Sequence, residues 1–157
     1  MVTLKLRKIL FVDEQDLFCE GLLTQFKFHK GLQVVGVACD CLETIEKTEE
    51  LKPDIVIMDI YIPHTGWIET IRSIRRKFNA LIIAVLSQHA KYVDKLISTG
   101  INACIARNVP EDDVVDIIES LKEDSRLVYP VDFGRDCLIL DKHKAKGLLT
   151  DREMQIL

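Results

Sequence analysis

The stretch Asp54-Ile-Val-Ile-Met-Asp-Ile-Tyr-Ile-Pro63 decides the fold of this 157-residue chain. Its apolar run is nearly continuous, whereas a strand exposed on one face would alternate apolar with polar side chains. The run therefore predicts a strand over 55–58 that is buried on both faces of a parallel sheet. Asp59 follows it directly, and ligands of open parallel sheets bind at the carboxyl ends of the strands.

Four further apolar runs, at 9–12, 34–38, 81–86 and 103–106, predict four more buried strands. Amphipathic segments with helical spacing lie between and after them. Their apolar positions are Phe18, Leu22 and Phe26; Leu42 and Ile45; Ile68, Ile71, Ile74 and Phe78; Ala90, Val93 and Ile97; and Val114, Ile117, Ile118 and Leu121. Gly100 stands where the fourth helix should end. The alternation predicts a doubly wound α/β fold with a five-stranded parallel sheet and five helices.

The composition is that of a globular protein with one domain and a short surplus. Hydrophobic residues make up 48% of the chain, which excludes a disordered protein, and the net charge of −4 argues against a surface that binds nucleic acid over most of its area. The five cysteines are odd in number and irregularly spaced, which favours reduced thiols, mostly buried, in a cytoplasmic protein. No apolar run approaches the ~20 residues of a membrane span.

The pattern changes after residue 124. We assign 1–124 to one domain and 125–148 to a linker that contains Pro130 and Gly134. Thr150 followed by Glu153 forms a capping box, which predicts the start of a further helix over 149–157. We therefore expect the sequence to be a fragment of a longer protein.

Residues with matched chemistry follow four of the predicted strands. Asp13 and Glu14 follow the first, Asp59 the third, Ser87 the fourth and Arg107 the fifth. Three neighbouring carboxylates call for a hard divalent cation such as Mg²⁺. A hydroxyl and a guanidinium can bind phosphoryl oxygens, and an Asp carboxylate is a competent nucleophile toward phosphorus.

The stretches 8–14, 54–63 and 84–87 resemble the receiver domain of bacterial two-component response regulators. The tail Leu149-Thr-Asp-Arg-Glu153 is similar to the start of a LuxR-type helix-turn-helix domain. Together they resemble the NarL/FixJ type of transcriptional regulator. This resemblance implies a flavodoxin-like receiver fold, a sensor histidine kinase as partner, a homodimer and contact with DNA only through a C-terminal domain. It implies no membrane partner and a signalling domain rather than an enzyme.

The resemblance also implies residue roles. Asp59 would be the phosphoacceptor, and Mg²⁺ would be held by Asp13, Glu14, Asp59 and the backbone carbonyl of Tyr61. Ser87 would be the switch hydroxyl, and Arg107 would contact the phosphoryl group. Phosphorylation would change the face formed by the fourth helix, the fifth strand and the fifth helix.

Four positions depart from the family pattern. Arg107 replaces a lysine, and a planar guanidinium does not reproduce the point charge of an ammonium. Cys104 replaces an aromatic residue and cannot act as its rotamer switch. Trp67 stands where glycine is usual, so either the loop after Pro63 is reshaped or the indole covers part of the site. Gln88 replaces a small residue.

One alternative remains beside the phosphorylated receiver, and two rival classes of protein each fail on a single feature of the sequence. An atypical receiver would act mainly as a phosphorylation-independent dimerisation module. A phosphatase of the haloacid dehalogenase type would need a second Asp where this chain has Tyr61. A flavodoxin-like electron carrier would need a phosphate-binding loop at 13–16, where the sequence Asp-Glu-Gln-Asp would repel a flavin phosphate.

Overall fold

The computed structural model describes residues 6–13, 17–60, 65–86, 91–107 and 109–129. The strands are β1 (Arg7–Asp13), β2 (Leu32–Ala38), β3 (Ile55–Ile60), β4 (Leu81–Leu86), β5 (Ala103–Ala106) and β6 (Leu127–Tyr129). The helices are α1 (Leu17–Lys27), α2 (Cys41–Leu51), α3 (Thr65–Lys77), α4 (Lys91–Ser98) and α5 (Glu111–Ser120). In the described part of the chain, no helix combines the length and the apolar character that crossing a bilayer requires.

All neighbouring strands pair in parallel, in the order β2-β1-β3-β4-β5-β6. The first five strands and the five helices confirm the predicted doubly wound fold. The order reverses between β1 and β3, so the carboxyl ends of these two strands flank the switch point at which such sheets bind ligands. β6 was not predicted: it lies within the segment assigned to the linker and extends the sheet beyond β5.

Alternate residues of each strand fill two separate cores, because successive side chains point to opposite faces of a sheet. One core packs β-strand residues such as Ile57 and Ile83 against α1 and α5. The other packs residues such as Met58 and Ala84 against α3 and α4, with partly buried residues of α2 at its margin. Both faces of the central strands are therefore covered, which explains their continuous apolar sequence.

The second helix does not pack as its apolar residues predicted. Leu42 is 66% exposed, and the buried positions of α2 are Thr44 and Thr48. Each threonine hydroxyl donates to the carbonyl four residues earlier, Asp40 O and Thr44 O respectively, at 2.6 Å. The prediction for Leu42 was wrong because a threonine that satisfies its hydroxyl within the helix can face a core.

Trp67 also differs from the prediction that placed it in the loop after Pro63. It lies in the first turn of α3 and is only 1% exposed. Its indole belongs to the core on the α3 side of the sheet, together with Val12, Met58 and Ile71. Trp67 therefore contributes apolar burial to the packing of α3.

Two short backbone features fix the region before β5. Gly100 follows α4 with a φ of +96°, and its N–H donates to the carbonyl of Ile97 at 3.0 Å, which confirms its predicted place at the end of that helix. The next turn carries Asn102, whose side chain is fully buried. Asn102 N and O bond Ile82 O at 2.8 Å and Leu127 N at 3.0 Å, which places β5 between β4 and β6.

The side-chain amide of Asn102 connects more distant parts of the chain. Its Oδ1 accepts from Ile82 N at 2.9 Å and from Arg75 Nη2 at 2.6 Å. Its Nδ2 donates to Glu123 O at 3.0 Å and to Ser125 O at 3.3 Å. One amide therefore holds the end of α3, the start of β4 and the turn that leads from α5 into β6.

Candidate functional site

Two buried carboxylates meet at the carboxyl ends of the central strands. Asp13, the last residue of β1, is register-paired with Asp59 of β3, on strands that lie about 4.8 Å apart. Asp13 is 1% exposed and Asp59 is 4% exposed. Asp13 is the last residue of β1, and Asp59 is the last but one of β3. Both side chains are therefore surrounded by the apolar strands just inside the edge of the sheet.

Arg107 brings a positive charge to this pair. Its Nη2 lies 3.0 Å from Asp59 Oδ2, and the two side chains are 22% and 3% exposed. The residue directly follows β5, and its N–H donates to Leu86 O, the last carbonyl of β4, at 2.8 Å. The β4–β5 pairing therefore aims the guanidinium across β4 at the carboxylate of β3. This ion pair is a charge-assisted hydrogen bond in a largely water-excluded place.

The donor set of the described residues fits a hard divalent cation. Asp13 and Asp59 offer carboxylate oxygens on adjacent strands, which are the ligands that Mg²⁺ prefers. Asp13 and Asp59 are like charges on adjacent strands, and burying like charges together is costly unless a cation compensates them. The arrangement can therefore hold a cation on one side of Asp59 while Arg107 contacts the other.

The remaining predicted site residues divide into two groups. Glu14, Tyr61 and Ser87 lie outside the described residues, so their roles stay predictions. Cys104 lies in the middle of β5, fully buried, and pairs in register with Ala84 on one side and Val128 on the other. The position at which the resemblance implies an aromatic switch residue in related proteins is thus a small thiol buried inside the sheet of this chain.

A second polar cluster at the same end of the sheet escaped the sequence analysis. Cys39, Asp40 and Glu43 place their sulfur and carboxylate oxygens within 4.8 Å of one another at the start of α2. Asp40 is the N-cap, accepting from Glu43 N at 2.7 Å, and Glu43 pairs with Lys47 at 2.8 Å. The spacing of an N-cap Asp and a Glu three residues later was the signal for it. Cys39 is exposed, against the prediction of buried thiols, because it precedes the helix at the rim.

The chain matches known proteins along most of its length. A family profile of the response regulator receiver domain matches residues 9–119. The response regulator protein VraR of Staphylococcus epidermidis is 24% identical over 158 residues, which covers 96% of this chain and 73% of that protein.

Solved structures give the same result. A two-component response regulator of the LuxR family from Aurantimonas sp. SI85-9A1 superposes with a TM-score of 0.71 at 26% identity, covering 83% of this chain and 94% of that chain. The signal receiver domain of NarL from Mycobacterium tuberculosis has a TM-score of 0.67 at 16% identity, over 73% of this chain and 94% of that chain. At this identity, the second likeness supports the fold.

Proposed function

Because this chain belongs to the response regulator receiver domain family, we propose that it accepts a phosphoryl group on Asp59 from a sensor histidine kinase. One observation carries the proposal: Asp59 is a buried carboxylate beside Asp13 in the sheet register and 3.0 Å from the guanidinium of Arg107. A carboxylate between a cation site and a fixed positive charge is suited to phosphoryl transfer, in which catalysis is mostly positioning and charge stabilisation.

The proposed step is a direct displacement at phosphorus. A carboxylate oxygen of Asp59 forms the new bond, the bond from phosphorus to the imidazole nitrogen of the kinase phosphohistidine breaks, and its electron pair stays with that nitrogen. Arg107 then exchanges its contact with the carboxylate for one with a phosphoryl oxygen. Mg²⁺ would be held by Asp13, Asp59, Glu14 and the carbonyl of Tyr61, and it would reduce the charge repulsion between the approaching phosphate and these carboxylates.

The wider role follows from the family. We propose a cytoplasmic two-component regulator that forms a homodimer and controls transcription through a C-terminal DNA-binding domain; its similarity to a two-component response regulator of the LuxR family supports the signalling role. The competing proposal is a dimerisation module that works without phosphorylation. Cys104 favours that alternative, since a small buried thiol cannot provide an aromatic rotamer switch.

The deciding experiment measures the mass of the chain after treatment with acetyl phosphate. In the presence of Mg²⁺, we expect a gain of one acid-labile phosphoryl group in the wild type and in the control Asp112→Asn, which changes an exposed aspartate of α5. Asp59→Asn should gain none. Chelation of Mg²⁺, and Asp13→Asn, should each slow the gain at least ~100-fold, the scale of losing a stabilising group at a phosphoryl transition state.

Three results would speak against the proposal. Equal labelling of Asp59→Asn would place the acceptor elsewhere. Undiminished labelling after chelation would remove Mg²⁺ from the mechanism. Absence of labelling over a range of donor concentrations, together with an intact dimer in solution, would favour the phosphorylation-independent module.

A further inference from the structure

β6 is an edge strand of the sheet, and it pairs with β5, the strand that Arg107 directly follows. Its three residues pair with β5 in the register Ala103–Leu127, Cys104–Val128 and Ile105–Tyr129. α5 packs on one face of β5, and residues of α4 pack with Cys104 on the other. β6 therefore occupies the strand edge between these two helices, and it is also the segment through which the chain leaves the domain.

The two ends of β6 lie at opposite rims of the sheet. The amino end is anchored: Leu127 is 2% exposed within the core on the α5 side, its N–H donates to Asn102 O at 3.0 Å, and the amide of Asn102 binds the preceding turn. The carboxyl end lies at the opposite rim of the sheet, where Tyr129 pairs with Ile105. Tyr129 precedes Pro130, which has no N–H with which to continue a ladder.

That carboxyl end adjoins the candidate site. Ile105, the partner of Tyr129, is two residues before Arg107, whose guanidinium lies 3.0 Å from Asp59. Arg107 also holds the end of β5 against β4 through its N–H bond to Leu86 O at 2.8 Å. The ion pair with Asp59 and the bond to Leu86 O therefore both hold the last β5 residues, which are the ones that pair with the end of β6.

We propose that β6 is a docked linker strand whose carboxyl end, Val128 and Tyr129, is released from β5 when Asp59 is phosphorylated. The proposal rests on the proposed function, and it names the part of this chain whose backbone changes after phosphorylation. Phosphorylation converts the singly charged carboxylate of Asp59 into an acyl phosphate that carries about two negative charges, a net gain of about one, and it adds three acceptor oxygens beside Arg107. The guanidinium exchanges its contact with the Asp59 carboxylate for these oxygens, so the end of β5 loses the tether that this ion pair provides, and pairing between Ile105 and Tyr129 breaks while Asn102 keeps Leu127 in place.

Hydrogen–deuterium exchange on the 157-residue chain, read by mass spectrometry over 122–129, tests this release. With acetyl phosphate and Mg²⁺, we expect the amide of Tyr129, which faces β5, to exchange about tenfold faster, as for a locally opened strand, while the amides of the central strand β3 keep their protection. Intact mass on the same sample reports whether the phosphoryl group is present. Unchanged exchange in phosphorylated protein overturns the proposal.

A second arm needs no phosphorylation. Arg107→Ala removes the ion pair with Asp59 and should speed exchange at the end of β6 in the same direction. The control Arg72→Ala removes only an exposed contact to Glu69, at 3.4 Å on α3, and should leave exchange unchanged. Failure to gain a phosphoryl group would contradict the proposed function alone, whereas unchanged exchange in Arg107→Ala would contradict the link between the site and β6.

Coupling of this kind must act in both directions. In a parallel ladder the amide of Tyr129 faces β5, as that of Leu127 does, and the amide of Val128 faces away. Tyr129→Pro therefore removes a ladder hydrogen bond, whereas Val128→Pro is a matched control that removes none. We expect Tyr129→Pro to bind the reversible phosphoryl mimic BeF₃⁻ in the presence of Mg²⁺ more tightly than Val128→Pro does, as measured by titration, and equal affinities in the two variants would overturn the proposal.

Discussion

Cys39 and Glu43 are hydrogen-bonded to each other, and each shifts the pKa of the other. The thiol donates to Glu43 Oε2 at 3.0 Å, and Lys47 lies 2.8 Å from the other carboxylate oxygen. The bonds from Lys47 and Cys39 lower the pKa of Glu43 to about 2, and the same carboxylate raises the pKa of the Cys39 thiol. Since the pKa of Glu43 falls on folding, its stabilising effect is present above its ordinary value of 4.5 and is lost as the pH falls toward 2.

We predict that Glu43→Gln makes Cys39 more reactive. The thiolate is the nucleophile, so removing the carboxylate lowers the pKa of the thiol and raises the thiolate fraction at a given pH. The measurement is the rate of iodoacetamide alkylation of Cys39, followed by peptide mass between about pH 7 and pH 10. The pH profile should move to lower pH in Glu43→Gln and stay in place in Glu46→Gln, which changes an exposed glutamate of the same helix. A profile shared by both variants would contradict the pairing.

The end of α4 depends on one glycine. Gly100 adopts a φ of +96°, which L side chains rarely adopt, and a Cβ there would lie 3.5 Å from Arg75 Cγ. We predict that Gly100→Ala lowers the free energy of unfolding by about 1–2 kcal/mol, the cost of a side chain at positive φ. Gly31→Ala is the control, because Gly31 has no positive φ and a Cβ there would lie 3.4 Å from His29 Cε1, an ordinary van der Waals contact. Urea unfolding measures both, and equal losses would show that the backbone of Gly100 is not the cause.

Among the elements, the sequence predicted the strands whose apolar runs are continuous. The bounds 81–86 and 103–106 of β4 and β5 agree with the structure because both runs are buried on both faces. The inward face of α2 could not be predicted from apolar spacing, since Thr44 and Thr48 are polar residues that satisfy their hydroxyls locally. β6 has only three residues, too few for a periodic pattern, and follows a charged turn.

In the candidate site, too, some features could be predicted from the sequence and others could not. The positions of Asp13 and Asp59 followed from the strands they end, because parallel strands bring their carboxyl ends to one rim. The contact between Arg107 and Asp59 depends on how far β5 extends past β4 and on the conformation of a long side chain. Neither property can be predicted from the neighbouring residues in the sequence. Arg107 and Asp59 could therefore be predicted to lie near each other, but their ion pair could not.

At the scale of the whole molecule, we expect the loss of the Asn102 side chain to lower the free energy of unfolding strongly, because it connects several parts of the chain. Its buried side chain makes four hydrogen bonds, to Ile82 N, Arg75 Nη2, Glu123 O and Ser125 O. We predict that Asn102→Ala lowers the free energy of unfolding by about 3 kcal/mol, because it strands buried donors and acceptors.

Asn79→Ala provides the comparison for this prediction. Asn79 bonds Glu123 Oε1 at 2.9 Å on the exposed surface, so its loss should stay within about 0.5 kcal/mol. Chemical unfolding of the two variants, followed by circular dichroism, gives both values. If Asn102→Ala were as stable as Asn79→Ala, the turn before β6 would not be held by this amide.

The place of β6 in the sheet also bears on how receiver and effector modules can be exchanged. A chimaera joined after residue 124, where the helical pattern ends, would place foreign residues on the edge of β5 and replace the side chains of Leu127, which is buried in the core on the α5 side, and Ser125, whose hydroxyl accepts from Lys122 N at 2.9 Å. A junction after Tyr129 keeps the complete six-stranded sheet in one module. Recombination between regulators that share this strand should therefore yield folded hybrids when the crossover falls beyond it, because the boundary that matters to the fold is the last rung of the sheet.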